Sequence, residues 1–164
     1  MKRLLLFFVL FSLKAVAQTP LTPLDYNNRV ASYTDTLYAL GQEWGTAFNK
    51  AFQSGDYSSL KSTADGMNKY IKGAIADLDK MKDLKESKPL RMAMIGFLKF
   101  EQDMVEKGFR KFESFTAATP ADTVKAAIAN LTALSKDENI YLEKVTATQT
   151  TYAAQNGFTI EAKQ

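Results

Sequence analysis

Two carboxylates, Glu101 and Glu138, interrupt apolar patterns at positions where a helical core is otherwise expected. A pair of acids near the middle of a bundle is the arrangement that holds a metal ion or divides acid and base roles between two groups. The bland account is that the chain turns near Glu138 and both groups reach water, because buried acids without partners are rare. The sequence favours that account, and ordinary carboxylate pKa values for both groups would establish it.

The other chemistry is sparse. The chain contains no histidine and no cysteine. This removes Glu-x-x-His di-iron sites, histidine-ligated haem, most zinc sites, nucleophiles paired with histidine, and iron–sulfur or thiolate chemistry. Ser58-Ser59-Leu60-Lys61 has the Ser-x-x-Lys spacing of penicillin-binding enzymes, but the companion Ser-Asp-Asn and Lys-Thr-Gly motifs are missing, so a serine at a helix start is the better reading. Met92-Ala93-Met94 offers two soft thioethers suited to copper(I). On a helix two residues separated by one point about 200° apart, so they share an ion only if the helix unwinds. Asn130-Leu131-Thr132 matches a glycosylation sequon but places Leu131 on a core face, and is read as chance.

The elements that must position these groups start with an export signal. Met1-Lys2-Arg3 is followed by an apolar run from Leu4 to Leu13 and by Ala15-Val16-Ala17, the parts of a secretory signal peptide with cleavage after Ala17. The run is too short to span a bilayer, which takes about 20 apolar residues. Lys2, Arg3 and Lys14 leave with residues 1–17, so 18 of the 21 basic residues remain to balance the 18 acids. The net charge of +3 therefore belongs to the signal, and nucleic acid is not an expected partner. The mature chain, residues 18–164, is expected to be a single domain with no transmembrane segment, no disulfide and no lipid-anchoring cysteine.

Four helices are expected. In the first, Tyr26, Val30, Tyr33, Leu37, Leu40, Trp44, Ala47 and Ala51 recur at alternating steps of four and three. Thr22-Pro23-Leu24-Asp25 caps its start and Gly55 ends it. The second runs from a cap at Asp56 through Leu60, Ala64, Met67, Ile71, Ala74, Leu78 and Met81, after a connection of about one residue that sends it back antiparallel. The third begins at Ser87 and Pro89 and carries Leu90, Met94, Phe97, Phe100, Met104, Val105, Phe112 and Phe115. The fourth starts at Thr119-Pro120-Ala121-Asp122 and continues to Asn156-Gly157, with a bend or change of face at Ser135–Asn139. Phe158 and Ile160 then dock the tail. The fold class is all-α, an antiparallel up-down-up-down four-helix bundle.

Counting back from the turns sets Trp44 level with Gly66, Met67, Gly108 and Ala129, so the two glycines read as room for the indole, with a ligand pocket at that level as the sharper alternative. The same count sets Glu101 level with Ser135 and Glu138.

Several stretches resemble a known family. Tyr26-Asn27, Ala51-Phe52-x-Ser54-Gly55-Asp56, Phe97-Leu98-Lys99-Phe100 with Phe109 and Phe112, and the ending Gln149-x-x-Tyr152-Ala153-x-x-Asn156-x-Phe158-x-Ile160 are similar to a family of uncharacterised exported bacterial proteins labelled only as surface proteins. The similarity covers most of the mature chain. It implies a bacterial envelope or surface location and a four-helix fold, and it brings no catalytic residues.

The expectation is thus a non-enzymatic binding or structural module, exported to the periplasm or cell surface, without a cofactor and with an envelope protein or small ligand as partner. The alternative is a carrier of a small apolar ligand or a soft metal, motivated by the aromatic third helix and by Met81, Met92, Met94 and Met104. An acid–base hydrolase using Glu101 and Glu138 is a third.

Overall fold

The computed structural model describes residues 21–160. The expected signal peptide and its expected cleavage after Ala17 lie outside the described residues. Helix α1 spans Pro23–Ser54 and begins with a reciprocal cap: the Thr22 hydroxyl accepts the Asp25 N–H at 3.1 Å, while the Asp25 carboxylate accepts the Thr22 N–H at 3.1 Å. It ends at Gly55 in the left-handed conformation (φ 74°). A Cβ on Gly55 would also lie 2.7 Å from Cβ of Ala117, so no larger residue fits the crossing.

Helix α2 spans Leu60–Lys80, later than expected, because the Asp56 carboxylate accepts the N–H of Ser58 and closes a turn instead of capping a helix. The connection is therefore Gly55–Ser59 and not a single residue. Asp56 also forms an isolated antiparallel bridge with Thr116, and among the described residues there is no strand. The α2 stripe from Leu60 to Leu78 is buried as the four-three spacing requires.

Helix α3 spans Lys88–Lys107 and stops at Gly108, short of the expected Phe115. A Cβ on Gly108 would meet the Met104 carbonyl oxygen at 2.7 Å and Cδ1 of Leu131 at 2.8 Å, so this glycine admits a leucine from the next helix. A 3₁₀ segment, Phe109–Ser114, comes next and buries Phe112. The guanidinium of Arg110 holds the segment with ion pairs to Asp65 (2.8 Å), Glu106 (3.0 Å) and Glu113 (2.9 Å).

The expected fourth helix is two. Helix α4 spans Ala121–Ser135 and α5 spans Glu138–Asn156, separated at Lys136-Asp137, whose amides bond the carbonyls of Ala133 and Leu134 at 3.3 Å. Ser135-Lys136-Asp137 offers no apolar side chain to bury, and serine and aspartate compete with the helix for backbone hydrogen bonds. The Thr119 hydroxyl accepts the N–H of Thr116 at 2.8 Å, and Pro120 takes the N-cap place that the repeated Thr-Pro-x-Asp start would give it.

Four helices pack against each other: α1 on α2 and α5, α2 on α3, and α3 on α5. Helix α4 lies outside this set, against the 3₁₀ segment and the flanks of α3 and α5, and buries only Val124 and Ala127 fully. The buried face of α3 is the widest, with Leu90, Met94, Phe97 and Met104 on one row and Ile95, Leu98 and Val105 beside it. This width is what covering by α2 on one side and α5 on the other demands. Phe100, expected in the core, is half-buried and stacks on Tyr141 at 4.6 Å. At the tail Phe158 meets Tyr152 edge-on at 5.9 Å, while the Tyr152 hydroxyl donates to the Leu84 carbonyl at 3.2 Å.

Candidate functional site

The α3 row Leu90, Met94, Phe97, Glu101, Met104 advances by four, three, four and three residues, so Glu101 stands at a core position with an apolar residue one turn to either side. It is 5% exposed, and its Oε1 has no hydrogen-bond partner. This corrects the expectation that both acids reach water. Burial pushes the Glu101 carboxyl up to about 8, and the nearby charge of Glu138 adds to the shift. Glu138 is half-buried, and burial raises its pKa too. The more exposed acid ionises first, and its charge then opposes ionisation of the deeper one. Neither group titrates like a free carboxylate.

Both acids line a cavity of about 380 Å³. Its inner wall is apolar: Leu37 from α1, Met67 from α2, and Phe97 and Met104 from α3 are all buried. Phe109 of the 3₁₀ segment and Leu142 of α5 close the sides. The mouth is polar, with exposed Asp35, Tyr38 and Gln42 on successive turns of α1. Gly41 lies among them, and a Cβ there would meet nothing within 4 Å. A concave space with apolar walls and a few convergent polar groups is the usual form of a small-molecule site.

Trp44 is 5% exposed and does not line the cavity. It stacks on Phe109 at 4.2 Å and on Phe48 at 5.2 Å, and meets Phe112 edge-on at 5.9 Å. The two glycines do not make room for the indole: Gly66 faces open space, Gly108 accommodates Leu131, and Ala129 is exposed. Because Phe109 both lines the cavity and stacks on the indole, Trp44 stands behind the cavity wall as support. Its Nε1 is buried without a hydrogen-bond partner.

Among the described residues no three of His, Cys, Asp and Glu converge on a point that holds a metal ion. Met92 is half-exposed and Met94 fully buried, so the pair does not share a face. A wider depression of about 670 Å³ lies between the start of α1 and the tail. Asn27 there has an unpaired buried oxygen, but no lining residue is titratable.

The sequence patterns do not single out the α1 residues at the mouth, Asp35, Tyr38, Gly41 and Gln42. They lie on the helix face next to the apolar stripe, where polar residues look like ordinary solvated ones. The detectable signal is Gly41, since glycine inside a helix costs about 1 kcal/mol relative to alanine and usually marks a need for space. Compared with known proteins, the chain matches no family model, no curated sequence and no solved structure.

Proposed function

We propose that this protein is an exported, non-enzymatic helical bundle of the bacterial envelope that holds a small ligand in the cavity between α1, α2, α3 and α5. The observation that carries the reading is the orphaned carboxyl of Glu101 at the edge of a cavity whose deeper wall is otherwise apolar. A buried polar group without a partner is costly and is retained where something else satisfies it. Of the two expected roles, binding and structural, this favours binding, and it draws on the carrier alternative for a small molecule.

The remaining parts of the proposal have their own support. Export rests on the basic start, apolar run and Ala-x-Ala site of residues 1–17. No helix among the described residues is long and apolar enough to cross a membrane. The non-enzymatic reading rests on the missing histidine and cysteine and on the lack of any partner that orients Glu101. An up-down-up-down order of α1, α2, α3 and α5 in a single domain is supported by the short connections Gly55–Ser59 and Met81–Ser87 and by the contacts between consecutive helices.

Native mass spectrometry of the protein isolated from its host tests the function. The expected spectrum carries an adduct that is released on denaturation and is absent from Gly41→Leu, which adds bulk to the cavity lining. A bare mass for the wild-type chain refutes the reading.

A further inference from the structure

Resting on the proposed ligand cavity, the geometry points to its occupant as an organic monocation: an ammonium group bound at Glu101 with an apolar or aromatic body against Phe97, Phe109 and Met104. Three carboxylates line the cavity, Asp35 and Glu138 toward the outside and Glu101 buried, and none of the lining residues is lysine or arginine. An anionic ligand would enter past acidic side chains with no lysine or arginine in the lining to pair with it. A divalent metal needs several oxygen ligands at one point, and no three acids among the described residues provide them. A neutral hydrocarbon fills the space but leaves Oε1 of Glu101 without a partner. An ammonium satisfies that oxygen with a charge-assisted hydrogen bond, and the aromatic residues Phe97, Phe109 and Tyr38 line the same cavity, where an ammonium can meet a ring.

Binding is coupled to one proton. The buried carboxyl carries a proton through neutral pH, so the incoming cation must displace it: the O–H bond of Glu101 breaks, the proton leaves to solvent, and the N–H of the ammonium takes its place on the oxygen. The groups facing Glu101 across the cavity are Asp35 and Tyr38 from α1 and Glu138 from α5, while α2 and the 3₁₀ segment contribute only Met67 and Phe109. No neighbouring cation therefore competes with the ligand for the carboxylate within the cavity. Below the Glu101 pKa, affinity for the amine rises about tenfold for each unit by which the pH is increased, and it levels above that pKa.

Isothermal titration calorimetry with three molecules of one shape decides the matter: phenethylammonium, neutral 2-phenylethanol and anionic 3-phenylpropionate, each at about pH 6 and about pH 7. The amine is expected to bind at least about tenfold more tightly than the alcohol, to gain about tenfold between the two pH values, and to release close to one proton in buffers of differing ionisation enthalpy. Glu101→Gln keeps the size of the side chain, removes the charge, and should bring amine and alcohol level. Equal affinities in the wild type, a preference for the acid, or an amine preference that survives Glu101→Gln overturns the organic cation. Those results leave the cavity reading standing if the adduct from the host persists and Gly41→Leu removes it. No binding of the amine by wild-type protein also overturns the proposal, and a bare native mass beside it overturns both.

Discussion

Replacing Glu101 by glutamine removes one titrating proton while preserving shape, so its effect on stability is a direct measure of the environment described above. The folded-state pKa of about 8 lies above the ordinary value of 4.5 that the unfolded chain shows. Between those values the folded protein binds more protons than the unfolded one, so stability falls as pH rises and then levels once the folded carboxyl has ionised. Each unit of difference is worth about 1.4 kcal/mol, which gives a loss of roughly 3 kcal/mol by about pH 7 and roughly 5 kcal/mol by about pH 9. Glutamine cannot ionise. Urea unfolding followed by circular dichroism should show wild type and Glu101→Gln nearly equal at about pH 4.5 and diverging steadily above it, the variant being the more stable. Glu138→Gln should move the upper inflection of the wild-type curve to lower pH, because the charge of Glu138 is part of the Glu101 shift. Parallel curves for wild type and Glu101→Gln from about pH 5 to about pH 9 would mean that Glu101 is solvated, and the account of the cavity would fall with it.

Two glycine substitutions separate a packing requirement from simple helix propensity. Gly108→Ala should destabilise by roughly 1–3 kcal/mol, since its Cβ collides with Met104 and Leu131, whereas Gly66→Ala in α2 should stabilise by up to about 1 kcal/mol, both read from urea midpoints. Thr22→Ala breaks the reciprocal cap of α1 and should cost about 1 kcal/mol in the same assay. The Arg29–Asp77 pair, 2.8 Å apart with both side chains about half-exposed, should contribute less than about 1 kcal/mol in a double-mutant cycle, and less in high salt.

The stripes and several termini are legible in the sequence because they depend on local rules. The spacing of Leu60 to Leu78 dictates the buried face of α2, and Thr22, Gly55 and Gly157 carry the signals that start α1 and end α1 and α5. Register between helices is legible only in part: the count that sets Glu101 level with Glu138 holds, since both line one cavity, whereas the count that sets Trp44 beside Gly66 and Gly108 does not. Counting residues from one turn to the next assumes unbroken helices, and the stop at Gly108, the 3₁₀ segment and the break at Lys136-Asp137 each displace the residues downstream of them. Trp44 therefore meets Phe109 and Phe112 of the 3₁₀ segment instead of Gly108. Glu101 departs from expectation for a different reason: the average behaviour of carboxylates argues for water, and only the packing of α1, α2, α3 and α5 around this one removes it. Its position does break an apolar row, and such conflicts between pattern and chemistry are where functional sites tend to lie.

The stack of Trp44 on Phe109 has a practical result. Trp44 is the sole tryptophan of the chain, so all indole emission comes from one site, dry on nearly every side and separated from the cavity by a single ring. Its fluorescence should peak toward the blue, and occupation of the cavity that tilts Phe109 will alter the intensity. The protein thus carries its own optical reporter, readable without a label.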